Sequence, residues 1–218
     1  MIVVSHVTRR YRRGSETITA LDDVSVSIAP GELTVAAGPS GSGKTTLLSV
    51  IAGYERADAG TVTSWDRPTA NLPWSALGFV PQALTLLVEL SVAENVDLPG
   101  RLNRRVHGTP TQELLAALEI AHLADRYPDQ ISGGEQQRTA IGRALRLAPA
   151  LVLADEPTGH QDRVRVALVL DILRQHARSG NIVLISSHDE AVISAADRVI
   201  TLADGRIVAD SANPAVIS

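Results

Sequence analysis

An α/β fold with a mainly parallel sheet, an antiparallel β subdomain at the N-terminus and an inserted α-helical subdomain is predicted by three observations. Wholly apolar runs of the kind buried on both faces of a parallel sheet occur at Leu33-Thr34-Val35-Ala36-Ala37, Leu151-Val152-Leu153-Ala154 and Ile182-Val183-Leu184-Ile185. Val24-Ser25-Val26-Ser27-Ile28 alternates apolar and small polar residues, as a half-buried antiparallel strand should. Residues 84–127 change to a helical pattern dominated by leucine and alanine.

Taken in order, Ile2-Val3-Val4 opens as a strand, and Pro30-Gly31 turns the chain after residue 28. The charged stretch 9–16 between these strands reads as a hairpin loop with Tyr11 at its start; an isolated tyrosine serves either as a packing residue or as a ligand contact. Gly38-Pro39-Ser40-Gly41-Ser42-Gly43-Lys44-Thr45-Thr46 follows the apolar run at 33–37 and fits G-x-x-x-x-G-K-[ST]. Successive backbone N–H groups of such a loop surround a di- or triphosphate while the lysine meets its outer charge. Residues 47–52 then read as a helix closed by Gly53, which completes the strand, loop and helix context of a P-loop NTPase core. Asp58-Ala59-Gly60 is a turn, and Thr61-Val62-Thr63 and Leu77-Gly78-Phe79-Val80 are short strands. Pro81 ends the latter and leaves Gln82 at a strand end, facing a ligand as polar residues do in α/β sheets or lying on the surface.

The inserted lobe spans about 84–147, with a short helix at 92–98 before Pro99-Gly100. A second helix starts at Thr109-Pro110-Thr111-Gln112, with Thr109 as cap and Pro110 at the first position, and continues through 113–125. A third begins at Ile131-Ser132-Gly133-Gly134-Glu135 and runs to about residue 147. Ser132 and Glu135 match a capping box, but Gly133 and Gly134 lower helix stability by up to ~1 kcal/mol each against alanine. Bare backbone at a helix N-terminus is an anion site, so a close approach is expected there. The strand at 151–154 delivers Asp155-Glu156, two carboxylates that need a cation, a metal or a proton-transfer role once buried. A helix over 163–178 stops at Ser179-Gly180-Asn181, and the strand at 182–185 delivers Ser186-Ser187-His188. His188 is a plain cap or a member of the sheet edge that already carries the loop, Gln82 and the carboxylates. Asp204-Gly205 joins a final hairpin.

The 218 residues suffice for one domain, expected as a core from 1–83 and 148–218 with the lobe between. A net charge of −4 offers no overall attraction for nucleic acid or an anionic membrane, and the lack of cysteine removes disulfide and thiolate chemistry. No apolar run approaches the ~18 residues of a spanning helix and the N-terminus has no signal-peptide pattern, so the chain is expected to be soluble, and its lack of cysteine is compatible with a reducing cytoplasm.

These segments together resemble the ATPase subunit of ABC transporters: GPSGSGKTT, the glutamine after Val80-Pro81, ISGGEQQR, LVLADEPT and His188 occur in that family's order and approximate spacing. The resemblance implies ATP and Mg²⁺ as ligands. It makes Tyr11 the aromatic on which adenine stacks, gives Gly38, Ser40, Gly41, Ser42, Gly43, Lys44, Thr45 and Thr46 to the phosphates, and sets Thr45, Gln82 and Asp155 around the metal. Glu156 then polarises the attacking water and His188 contacts the γ-phosphate. Ser132, Gly133, Gly134 and Glu135 would serve the nucleotide of a second subunit, so that two chains close head to tail over two ATP molecules. A transmembrane permease-type subunit is the implied partner, which places the chain peripherally on the inner face of the cell membrane.

The wording SGGEQQR and ADEPTG is similar to the subgroup of macrolide exporters, lipoprotein-releasing ATPases and the cell-division ATPase of that type. The alternative function is therefore a mechanical regulator that drives a transmembrane partner without moving solute. One departure stands out. The family usually continues after Gly159 with a small polar residue, leucine and aspartate, whereas this chain has His160-Gln161-Asp162. Asp162 keeps the acidic position of dimer communication; the other two change the loop, with either altered coupling or normal turnover as the outcome.

Overall fold

The computed structural model describes residues 1–65, 67–103, 108–159 and 161–212. A six-stranded sheet runs in the order β10-β9-β3-β8-β7-β6, and a four-stranded antiparallel sheet in the order β2-β1-β4-β5, with β4 at Ala59–Ser64 and β5 at Arg67–Pro68. In the larger sheet β3 (Leu33–Ala37), β8 (Ile182–Ser187), β7 (Leu151–Asp155) and β6 (Leu77–Val80) are mutually parallel, and β9 (Arg198–Ala203) extends the parallel set beyond β3. Only β10 (Arg206–Asp210), returning through the Asp204-Gly205 turn, is antiparallel.

The parallel strands are buried on both faces because each side of the sheet carries its own apolar layer. Successive side chains point to opposite faces, so Val152, Ala154, Val183 and Ile185 join the core beneath the helical lobe and α5 (Arg163–Arg178). Leu151, Leu153, Ile182 and Leu184 join the core formed with α1 (Lys44–Ile51) and the antiparallel sheet. The strand ends that carry polar residues therefore emerge together at one edge.

Four sequence expectations change in the structure. β1 (Ile2–Arg13) and β2 (Glu16–Ile28) are far longer than the two short strands expected, and Tyr11 lies on β1, paired with Ile18, instead of in a loop. Charge did not prevent pairing, because both strands are solvated here, β-branched Thr17, Ile18 and Thr19 favour extension, and Arg13 sits opposite Glu16. Only Gly14 and Ser15 remain as the turn.

In the lobe, α2 (Val92–Leu102) carries Pro99 in its interior and does not stop before it; the Asn103 N–H still reaches the Pro99 carbonyl at 2.9 Å. Gly100 explains the persistence: the Arg146 guanidinium lies over it so closely that a Cβ would meet Nη2 at 2.6 Å, which locks this turn against α4 (Gly133–Leu145). The helix expected from Thr109 is α3 (Thr111–Ala117), preceded by Pro110 without a side-chain cap. The Thr111 hydroxyl instead donates to Asp97 at 2.8 Å. α3 ends early because Glu119 adopts φ 54, and only a 3₁₀ turn at Ala121–Leu123 follows. The short helix α6 (Glu190–Ser194) was not expected at all.

The segment after Gln82 is pinned to the lobe at two points. Asn95, fully buried on α2, donates to the carbonyls of Leu87, Leu90 and Ser91 and accepts the Leu87 N–H. Arg143 of α4 donates to the carbonyls of Leu84 and Thr85. Gln82 thus lies two residues past the end of β6, just before a stretch bonded to α2 and α4. Among the described residues no helix is long and apolar enough to cross a membrane.

Candidate active site

A cleft of about 330 Å³ opens at the carboxyl end of the parallel strands, lined by Ala20, Ser40, Gly41, Gly43, Lys44, Thr45, Thr46, Gln82, Asp155 and Glu156. That volume is at the lower end of what small-ligand sites enclose. Its floor is the loop between β3 and α1. Gly43 has φ 104, and a Cβ there would stand 2.4 Å from the Ala20 carbonyl oxygen. Gly38 has φ 146, and its Cβ would meet the Leu202 carbonyl at 2.2 Å. Both glycines are therefore fixed by close approach of neighbouring backbone, while Gly41 has open space before it. Ser42 faces inward and is buried, with its hydroxyl unpaired among the described residues.

Lys44 is only 7% exposed, and its amine donates to the carbonyls of Gly38 at 2.8 Å and Pro39 at 3.0 Å. The loop thereby encloses its own cation. Thr45 Oγ1 donates to Asp155 Oδ2 at 2.7 Å, joining α1 to the end of β7. The other Asp155 oxygen accepts from the Ser186 hydroxyl, and Asp155 is 2% exposed. Glu156, the next residue, has φ 50; its N–H donates to Ser186 Oγ at 3.0 Å and its Oε1 meets His188 Nδ1 at 2.8 Å. A non-glycine residue in the left-handed region is disfavoured by roughly 1–2 kcal/mol, so these bonds hold a corner that turns the Glu156 side chain out of the sheet toward the cleft.

The donor set fits a hard divalent cation beside a phosphate chain. Thr45, Asp155 and Gln82, which line the cleft, carry a hydroxyl, a carboxylate and an amide oxygen, the donor types such a cation takes. Among the described residues no three His, Cys, Asp or Glu form a cluster able to hold a metal by themselves. A Mg²⁺ ion fits that arrangement, since it is held by one or two protein oxygens together with substrate phosphates and water.

Other expected residues lie outside this cleft. Tyr11 does not line it: its hydroxyl donates to Glu55 and the Arg9 guanidinium covers one ring face at 4.6 Å. His188 reaches the cleft only through Glu156, its own side chain being 68% exposed. Ser132, Gly133, Gly134 and Glu135 form the N-terminus of α4, apart from the cleft of the same chain. There the Ser132 amide and hydroxyl donate to Glu135 Oε2 at 2.7 and 2.8 Å. The amide bond chiefly, opposed by burial and helped by the hydroxyl, holds the Glu135 carboxyl below its ordinary range. One turn further, burial pushes the Arg138 guanidinium down against the charges of Glu135 and Asp162.

Asp162 is the N-cap of α5, accepting the Arg165 N–H at 2.9 Å. Gln161 donates to the Pro157 carbonyl at 3.2 Å, and His160 lies outside the described residues. Two site residues escaped the sequence reading. Ala20 contributes only its backbone and methyl group, and nothing in an alanine signals that. Ser186 was a polar residue at the end of an apolar strand, the same signal that drew attention to Asp155.

The family model described as "ABC transporter" matches residues 21–159. The macrolide export ATP-binding/permease protein MacB of Burkholderia pseudomallei is 38% identical over 98% of this chain, which spans 34% of that relative's length. An uncharacterized ABC transporter ATP-binding protein of Mycobacterium tuberculosis is 35% identical over 94% of this chain and 66% of its own. Among solved structures, the ATP-binding cassette MJ0796, a dimer in a post-hydrolysis state bound to ADP and Pi, superposes with a TM-score of 0.88 at 32% identity. The match covers 97% of this chain and 98% of that one.

Proposed function

The chain belongs to the ABC transporter family, and from that premise we propose that it is the ATP-binding and ATP-hydrolysing subunit of a transport system. It closes head to tail with a second copy over two Mg-ATP and drives a transmembrane permease-type partner from the cytoplasmic face of the membrane, with no role for nucleic acid. The observation that carries the reading is the convergence of Lys44, Thr45, Gln82, Asp155 and Glu156 on one cleft at the carboxyl edge of the sheet. The dimeric cassette MJ0796 and the permease-fused macrolide exporters support the assembly.

In this reading the phosphates rest against the backbone N–H groups of the loop from Gly38 to Thr46, at the positive end of α1. Lys44 has two of its three N–H bonds on the Gly38 and Pro39 carbonyls, which aims the amine along the loop and leaves one for an outer phosphate oxygen. Thr45, Asp155 and Gln82 would hold Mg²⁺, which when bound supplies positive charge against the developing charge of phosphoryl transfer. Glu156 orients a water and accepts its proton as the water oxygen attacks the γ-phosphorus and the bond to the ADP oxygen breaks. His188, held on Glu156 Oε1, would contact the γ-phosphate. Tyr11 presents its remaining ring face to adenine, Arg9 holding the other. Ser132, Gly133, Gly134 and Glu135 of the second copy cover the nucleotide with the N-terminus of α4, and Asp162 relays closure between the two sites through the start of α5.

Glu156→Gln tests the reading. Mg-ATP should still bind, turnover should fall by about 10²–10⁴, the size of a general-base loss, and an ATP-bound dimer should accumulate in size-exclusion chromatography. Unchanged turnover would remove Glu156 from the reaction.

A further inference from the structure

We propose that Ser186 is a positioning residue for hydrolysis, one buried hydroxyl that fixes both adjacent carboxylates of the site at once. The inference rests on the reading of Asp155 and Glu156 given above and adds a group outside the cleft lining. Ser186 lies on β8, in register with Asp155 on β7 and Ala36 on β3, and is 0% exposed. Its hydroxyl donates to Asp155 Oδ1 and accepts the N–H of Glu156 at 3.0 Å.

The two bonds do different work. Asp155 leaves its other oxygen on Thr45, so the carboxylate is held from both sides in one rotamer between α1 and β8. Glu156 is the first residue past β7 and takes φ 50, where its N–H leaves the sheet ladder. Buried N–H groups need an acceptor, and Ser186 Oγ supplies it, which keeps the left-handed corner and the direction in which the Glu156 side chain departs. A hydroxyl can do both because it carries one donor and two acceptor sites. Ile182 to Ile185 on β8 are apolar and fully buried, and the strand turns polar only at Ser186 and Ser187, of which Ser187 accepts the Asp189 N–H while Ser186 faces the two carboxylate residues.

The test compares Ser186→Thr with Ser186→Val in the full chain, two side chains of equal shape that differ in the hydroxyl. The valine form is expected to lose roughly 10- to 100-fold in kcat, the size of losing a hydrogen bond to a charged group together with the corner it holds. Its KM for Mg-ATP should change far less than kcat, because Thr45 still holds the other Asp155 oxygen, and the threonine form should keep most of the wild-type kcat. Amide hydrogen exchange in the nucleotide-free chain gives a readout independent of turnover: the Glu156 N–H should exchange at least about tenfold faster in the valine form than in the threonine form. Equal kcat in the two forms overturns the proposal, as does equal protection of the Glu156 amide. Should threonine overpack the site and unfold the chain, Ser186→Ala against wild type is read the same way. The Glu156→Gln variant run beside them separates the two ideas: if it retains turnover, the reading of Glu156 falls, whereas equal Thr and Val forms with an inactive Glu156→Gln remove Ser186 alone.

Discussion

The cleft at the end of β3 and the start of α4 both present the backbone of a helix N-terminus, yet they are built in opposite ways. Around the cleft Lys44, Asp155 and Ser186 are buried and the polar groups are bonded to one another, Lys44 to its own loop, Thr45 to Asp155 across α1 and β7, and Asp155 to Ser186 across β7 and β8. At α4 the groups are local: Ser132 and Glu135 satisfy one another, and Ser132 and Gly133 are exposed. The first is preorganised by the whole sheet and can hold a nucleotide within one chain. The second offers N–H groups with nothing opposite them among the described residues of the cleft. In the proposed head-to-tail dimer it would meet its ligand on another surface.

The contrast can be broken most directly through Lys44. Lys44→Ala should weaken ATP binding by a single chain by about 10- to 100-fold, a charge-assisted bond to phosphate being lost, while Ser132→Arg should leave single-chain affinity within about twofold; equilibrium dialysis under monomeric conditions measures both. Equal losses would mean that both regions serve one chain's nucleotide. Arg146→Ala sharpens the comparison on the stability side. Arg146 donates to Asp97 at 3.0 Å and to Thr111 at 3.1 Å, bracing α2, α3 and α4. Its removal should lower stability by about 2 kcal/mol, less than for a fully buried pair because Asp97 is partly exposed, with hydrogen exchange rising first in the lobe. Ser132→Ala should lower stability by only about 1 kcal/mol, the value of a helix cap, as read from urea unfolding.

The smallest effect concerns acid. Burial alone would raise the Asp97 carboxyl, but bonds from Thr111, Arg146 and Arg101 outweigh it and hold it below its ordinary 3.8. Bidentate bonding to Arg198 at 2.9 and 2.7 Å likewise holds Asp210 down. A carboxyl depressed on folding contributes stability that is present above its unfolded value and lost as pH falls through the folded one. The melting temperature should therefore fall below about pH 3.8, and Asp210→Asn should flatten that acid limb.

How much of this was legible in the sequence follows from how local each cause is. Strands buried on both faces announce themselves as apolar runs, and β3, β7 and β8 lie where those runs are. The loop at 38–46 and the capping box at Ser132 depend on nearby residues and could be read directly. The long hairpin could not, because pairing of 9–13 with 16–21 is a cross-strand effect that a charged stretch conceals. Nor could the continuation of α2 through Pro99, beside which Arg146, the residue that follows α4, lies over Gly100. In the site, residue types pointed to Thr45, Gln82, Asp155 and Glu156, and the cleft gathers them. Ser186 needed the register of β7 against β8, a fact that no single segment carries. Asp162 shows the reverse case: a local rule explains it as the cap of α5, independent of any role between subunits.

The central claim, that the loop at 38–46 forms half of an ATP site completed by Ser132–Glu135 of another chain, is tested most directly by mixing two inactive forms. Lys44→Ala disables the cleft and Ser132→Arg the helix end, so each homodimer should be inactive. In a mixed dimer the intact cleft of one chain faces the intact helix end of the other. ATP hydrolysis that rises on mixing to well above either form alone is the predicted result; a mixture as inactive as its components would contradict it.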